Sequence, residues 1–100
     1  MMNMTRVLPP DSVLVQREGN IASDMDGEKV MLNVKNGKYY NLGEVGGEIW
    51  AALETPSSVR QVTAAIQEIF EVSADIAEQD VLAFLQNLLA EDLIAIAGES

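Results

Sequence analysis

Cysteine and histidine are both absent from this 100-residue chain, and no lysine or arginine follows Arg60. Without cysteine there is no disulfide framework, no thiolate nucleophile and no cysteine-based metal site. Without histidine the commonest general base and metal ligand is missing as well, so no ordinary nucleophile–base pair can be assembled. The chain is therefore expected not to be an enzyme and to need no cofactor or metal. Long apolar runs are lacking too, and none approaches the roughly 20 residues of a membrane-spanning helix. Met1 to Pro10 holds one arginine and no apolar stretch, unlike a signal peptide. A cytoplasmic protein with no membrane partner is the expectation.

What is present is a normal apolar fraction of 48% and a formal charge of -10. The length suits one domain with a core of its own. The segment 1–11 is polar and contains Pro9-Pro10, which reads as a flexible tail; residues 12–97 read as the folded unit. Glu68, Glu71, Asp75, Glu78, Asp80, Glu91, Asp92 and Glu99 fill the stretch that lacks basic residues. Such a surface repels phosphate, so nucleic acid is not expected as a partner.

Ser12 to Glu18 has the β-branched content of a first strand. Asp24, Asp26 and Gly27 supply turn chemistry before Glu28 to Lys35, where Val30, Leu32 and Val34 alternate with Met31 and Asn33. A two-residue Asn36-Gly37 hairpin would set Asn33 opposite Tyr40 and mix polar with apolar faces. A three-residue loop, Lys35-Asn36-Gly37, instead pairs Val34 with Lys38, Leu32 with Tyr40 and Val30 with Leu42, and is the expected register. Helical spacing then appears in Leu42 to Leu53, through Val45, Ile49, Trp50 and Leu53, with Gly46 and Gly47 permitting close packing. Ser57 or Ser58 caps a second helix carrying Val59, Val62, Ile66, Ile69 and Phe70. Ser73 caps a third, whose broad apolar face holds Val81, Leu82, Phe84, Leu85, Leu88 and Leu89. Leu93 to Ala97 can close as a short strand. The fold class is thus α+β: a three-stranded antiparallel sheet followed by three helices, in the order of a winged helix-turn-helix.

Asp24, Asp26 and Glu28 are spaced like part of a calcium loop, but the remaining ligand positions do not follow that pattern, and a polar turn accounts for them. Gly43, Gly46 and Gly47 lack the Gly-Lys-Ser/Thr of a phosphate loop. The feature left over is the strand Lys38 to Leu42. As a sheet edge, its unpaired backbone groups form a template for an extended peptide, and a neighbouring helix would supply the second wall of a groove.

Gly37-Lys38-Tyr39-Tyr40-Asn41-Leu42, Gly47-Glu48-Ile49-Trp50, Leu53, Asp80-Val81, Phe84-Leu85, Leu88 and Leu93-Ile94 together resemble the PqqD-like family of peptide recognition elements for ribosomally made, modified peptides. The resemblance covers roughly residues 12–96. Within the family, this chain looks most like the free-standing leader-binding proteins of lasso-peptide biosynthesis. It implies that a precursor leader adds as a strand beside Tyr39, Tyr40 and Asn41 and lies against the third helix at Asp80, Val81, Phe84, Leu85 and Leu88, with Asp80, Phe84 and Leu88 as the preferred row. Tyr40, Leu42, Ile49 and Trp50 carry the inward parity and belong with the core, whereas Tyr39 points to the opposite sheet face. The implied partners are the leader and a separate transglutaminase-like leader peptidase. Alternatives are a PqqD-type peptide chaperone for a radical enzyme and a winged-helix regulator or scaffold.

Overall fold

A computed structural model describes residues 8–97. The elements run β1 (Val13–Gln16), β2 (Asn20–Met25), β3 (Glu28–Asn33), β4 (Tyr39–Leu42), α1 (Gly43–Ala52), β5 (Ser57–Ser58), α2 (Val59–Phe70), α3 (Ala74–Ala90) and β6 (Ile94–Ile96). The α+β class and the three helices agree with expectation, and so does the closing strand. The single three-stranded sheet does not. There are two small antiparallel sheets, in the orders β5-β1-β6 and β2-β3-β4. β1 leaves the hairpin sheet because both its edges are taken elsewhere, Leu14 pairing with Ser57 on one side and Ile96 on the other.

Besides the two-residue β5, the unanticipated strand is β2. Its sequence, Asn-Ile-Ala-Ser-Asp-Met, lacks the alternation of a half-buried strand, and five of its six residues are exposed. Pairing with β3 along its whole length, from Asn20–Asn33 to Met25–Glu28, holds it in place. Asp26 and Gly27 close that hairpin with φ of 55° and 84°, the left-handed pair a two-residue turn requires.

The β3–β4 register also differs from expectation. Val30 faces Asn41, Met31 faces Tyr40 and Leu32 faces Tyr39, one position away from the expected pairing and different again from the Asn36-Gly37 hairpin. The reason is Asn33. Its Oδ1 accepts from the backbone N–H groups of Lys35 and Asn36, both at 3.0 Å, and its Nδ2 donates to Asn20 Oδ1 at 2.7 Å. This satisfied amide is buried at 7% exposure and lengthens the loop to Val34–Gly37, with Gly37 left-handed as expected. A slip of one residue exchanges the faces of a strand. Met31 and Asn33 therefore point inward, while Val30 and Leu32 lie half-buried on the outer face.

The two adjacent glycines of α1 serve two different neighbours. A Cβ at Gly47 would stand 2.8 Å from Lys29 Cβ on β3, and one at Gly46 would stand 2.6 Å from the Phe84 ring on α3. Gly47 thus seats the helix on the hairpin sheet, and Gly46 seats the third helix on the first. Ser58 and Gln61 form a reciprocal capping box at the start of α2, and Ser73 Oγ accepts from Ile76 N–H at the start of α3. The core they enclose includes Leu14, Met31, Ile49, Leu53, Val62, Val81, Leu85, Leu93 and Ile94, each under 2% exposed.

Of the expected tail, residues 1–7 lie outside the described residues, and the rest is docked. Leu8 is in the core at 5% exposure. Pro10 C=O accepts from Arg60 N–H, and Asp11 pairs with the Arg60 guanidinium at 3.1 Å. Among the described residues no helix is long and apolar enough to cross a membrane.

Candidate functional site

β4 lies at one edge of its sheet and pairs only with β3. Asn33 N–H donates to Lys38 C=O at 2.9 Å, while Asn33 C=O accepts from Gly37 N–H at 2.8 Å, which puts Asn33 and Lys38 at a hydrogen-bonding position of the ladder. In an antiparallel ladder such pairs alternate with non-bonded ones. Met31–Tyr40 is then the next bonded pair, and the N–H and C=O groups of Tyr39 and Asn41 point away from β3 to the open edge. Tyr39 and Asn41 are exposed, and Tyr40 is half-buried. The edge ends where Asn41 Oδ1 accepts from Gly43 N–H at 3.0 Å, leading the chain into α1.

The wall facing this edge is α3. Tyr40 Oη donates to Glu91 Oε1 at 3.1 Å, linking β4 to the residue that caps α3. One turn at a time toward the N-terminus, Asn87, Phe84 and Asp80 continue the row that Glu91 begins, because their spacings of three and four residues keep them within one narrow stripe of a helix. Phe84 is half-buried on Gly46 of α1, the helix that follows β4 directly. The site is therefore an open strand edge, a helix row bearing one aromatic ring between two carboxylates, and a tyrosine–glutamate link at one end.

The residues expected from sequence are distributed as follows. Tyr39, Tyr40 and Asn41 form the edge strand, and Asp80 and Phe84 stand on the α3 row. Val81 and Leu85 have no accessible surface, and Leu88 has 3%. These three occupy the core seam of α3 together with Ala77 and support the groove from beneath. The row Asp80, Phe84, Leu88 turns inward because each four-residue step advances about 40° around a helix. By Leu88 it has entered the core, and the surface row passes to Asn87 and Glu91 instead. Both of these were missed, and the helical angle alone would have found them. Leu42, Ile49 and Trp50 are buried at 8%, 0% and 4%.

The acidic turn reads as local structure. Asp24 pairs with Lys29 at 3.2 Å, and Glu28 accepts from Asn41 Nδ2 at 2.9 Å. Among the described residues no cluster of three potential metal ligands occurs.

Residues 28–94 match the family described as coenzyme PQQ synthesis protein D (PqqD). Three solved structures share the fold. TbiB1 in complex with the TbiA(β) leader peptide is 27% identical, with a TM-score of 0.71 over 86% of this chain and 98% of that one. A lasso peptide synthetase B1 complexed with its leader peptide is 22% identical, with a TM-score of 0.70 over 82% and 96%. The PqqD part of Methylobacterium extorquens PqqCD, a stand-alone recognition element for ribosomally synthesized and post-translationally modified peptides, is 14% identical, with a TM-score of 0.74 over 89% and 95%. No curated protein matches the chain by sequence.

Proposed function

Because the chain belongs to the PqqD family, we propose that it binds the leader of a ribosomally made lasso-peptide precursor, adding it as a strand beside β4, and delivers it to a separate leader peptidase of the transglutaminase-like type. The observation that carries this reading is the open edge at Tyr39 and Asn41 facing the α3 row across the Tyr40–Glu91 link. Backbone bonds along the edge supply affinity, and alternate side chains of the guest enter between β4 and α3, where Phe84 offers an apolar surface. Asp80 and Glu91 favour a basic residue in the guest, since no basic residue accompanies them on α3.

The recognition domain comprises residues 12–97 together with the docked segment 8–11 that adds Leu8 to its core; it works in the cytoplasm and acts by binding rather than catalysis. We read its helices as a winged-helix framework whose third helix serves a peptide, the acid-rich surface being unsuited to phosphate. The complex of the similar TbiB1 with a leader peptide supports leader binding; the second reading is a PqqD-type chaperone for a radical enzyme. Titration with the precursor leader and, separately, with its core peptide tests the proposal. Binding to the leader alone is expected, and equal binding to both would overturn it.

A further inference from the structure

One motif of the sequence serves neither the core nor the groove walls. Asn36-Gly37 stands in the β3–β4 loop, where both residues are exposed. Asn36 is the one asparagine followed by glycine; those at positions 3, 20, 33, 41 and 87 precede Met4, Ile21, Val34, Leu42 and Leu88. A following side chain crowds the approach of its own backbone nitrogen to the asparagine amide, and glycine has none.

The Asn36 amide is polarised at both of its heteroatoms. Its Oδ1 accepts from Lys38 N–H at 2.8 Å, which places a donor on the oxygen that gains charge when the amide carbon is attacked. Its Nδ2, the leaving group of such an attack, donates to Tyr40 Oη at 3.3 Å, and the phenol donates in turn to Glu91 Oε1 at 3.1 Å. The attacking group, Gly37 N–H, donates to Asn33 C=O at 2.8 Å. That bond must open first, and it lies in an exposed loop, where local opening costs least.

We propose that Asn36 is a self-deamidation site whose product unties one end of the groove. The Gly37 backbone nitrogen gives up its proton to solvent base and bonds to Asn36 Cγ. The Cγ–Nδ2 bond breaks, and Nδ2 leaves as ammonia after taking a proton from the Tyr40 phenol, which solvent then reprotonates. One water molecule opens the cyclic imide that remains. Addition of water at Cγ gives aspartate; addition at the backbone carbonyl carbon gives isoaspartate, with the main chain running through Cβ and Cγ. In aspartate the donor to Tyr40 has become a carboxylate. The phenol O–H then has two competing acceptors, at position 36 and at Glu91, and these repel each other. Isoaspartate lengthens the main chain just ahead of Lys38 and Tyr39, where the edge begins. Either product loosens the Tyr40–Glu91 link and adds a negative charge to a chain of formal charge -10. The consequence for the groove rests on the leader reading above; the reaction itself does not.

The test incubates the full chain in mildly alkaline buffer and follows it by isoelectric focusing and by peptide mapping that separates aspartate from isoaspartate. The expected result is a more acidic species carrying both products at position 36, while Asn20, Asn33, Asn41 and Asn87 keep their amides. Tyr40→Phe takes the phenol away from the leaving nitrogen and is expected to slow the conversion about threefold, the worth of one exposed hydrogen bond. Asn36→Ser has no amide and is expected to form no such species. Asn36→Asp stands in for the product and is expected to bind leader about threefold or more weakly than Asn36→Ser. No conversion at Asn36, earlier conversion at another asparagine, or undiminished conversion in Tyr40→Phe would overturn the proposal. So would equal leader affinity of Asn36→Asp and Asn36→Ser beside a parent that binds. Failure of the parent to bind leader counts against the leader reading alone, because the charge shift at Asn36 is read without leader.

Discussion

Tyr40 Oη donates to Glu91 Oε1 across 3.1 Å and 51 positions of sequence, tying the edge strand to the C-terminal end of the third helix. Asn36 Nδ2 also donates to Tyr40 Oη, at 3.3 Å, so the phenol joins the β3–β4 loop, the edge and α3 at one point. The link fixes the spacing of the two groove walls at that end.

Tyr40→Phe and Glu91→Gln both weaken this link while keeping the ring and the side-chain length. Because the bond is exposed, each change is expected to cost no more than about 1 kcal/mol of stability. Leader affinity is expected to fall in both single variants, and the double variant to fall by less than their sum. A double-mutant cycle read by calorimetry checks this; additive effects would mean that the two groups act separately.

Gly46 and Gly47 separate two kinds of close approach. At Gly47 a new Cβ meets Lys29 Cβ at 2.8 Å, an atom fixed to the β3 backbone, so helix and sheet must part. Gly47→Ala is expected to lose about 1–3 kcal/mol to overpacking, partly offset by a helix-propensity gain. At Gly46 the obstacle is the far end of the Phe84 ring, which can swing. Gly46→Ala is therefore expected to cost less stability and to lower leader affinity more. Denaturant unfolding and leader titration on the two variants compare them directly.

Asn33 sets the register that the apolar alternation misjudged. Asn33→Ala removes the acceptor for two backbone N–H groups and the donor to Asn20, and is expected to cost about 1–3 kcal/mol. Asn33→Asp keeps the acceptor while losing the donor, so its cost should be intermediate. Thermal unfolding ranks the three proteins, and equal stability of all three would contradict this role.

These results show what the sequence made legible. Helices α1 to α3 followed from apolar spacing and from Ser58 and Ser73, whose hydroxyls do cap as their positions imply. The tight packing at Gly46 and Gly47 was also legible, since glycine inside an apolar helix costs propensity and needs a reason. Strand β2 was not legible: its exposed residues carry no period, and only pairing with β3 gives it form. The register failed because Val30 and Leu32 look like core residues, while the buried position went to a polar Asn33 whose bonds are all non-periodic. At the site, Tyr39 to Asn41 could be placed from sequence. The helical angle places Glu91 on the surface row of α3, but its bond to Tyr40 was not legible, because it joins elements far apart in the chain.

Charge on the α3 row leads to a further prediction. Asp80 and Glu91 stand on a helix with no basic residue, so leader affinity is expected to fall as salt is raised, most for a leader with a basic residue near the groove. Asp80→Asn should flatten that salt dependence without altering the fold. Titrations at low and high ionic strength measure both, and affinity indifferent to salt would remove charge from the account.

The central claim is that the leader adds as a strand to β4, and amide shifts and hydrogen exchange along that strand with leader present test it most directly. The backbone N–H groups of Tyr39 and Asn41, which face the open edge, should shift and become protected, while that of Tyr40, already turned toward β3, changes little. Protection along β2 instead, or no change at Tyr39 and Asn41 under saturating leader, would contradict it.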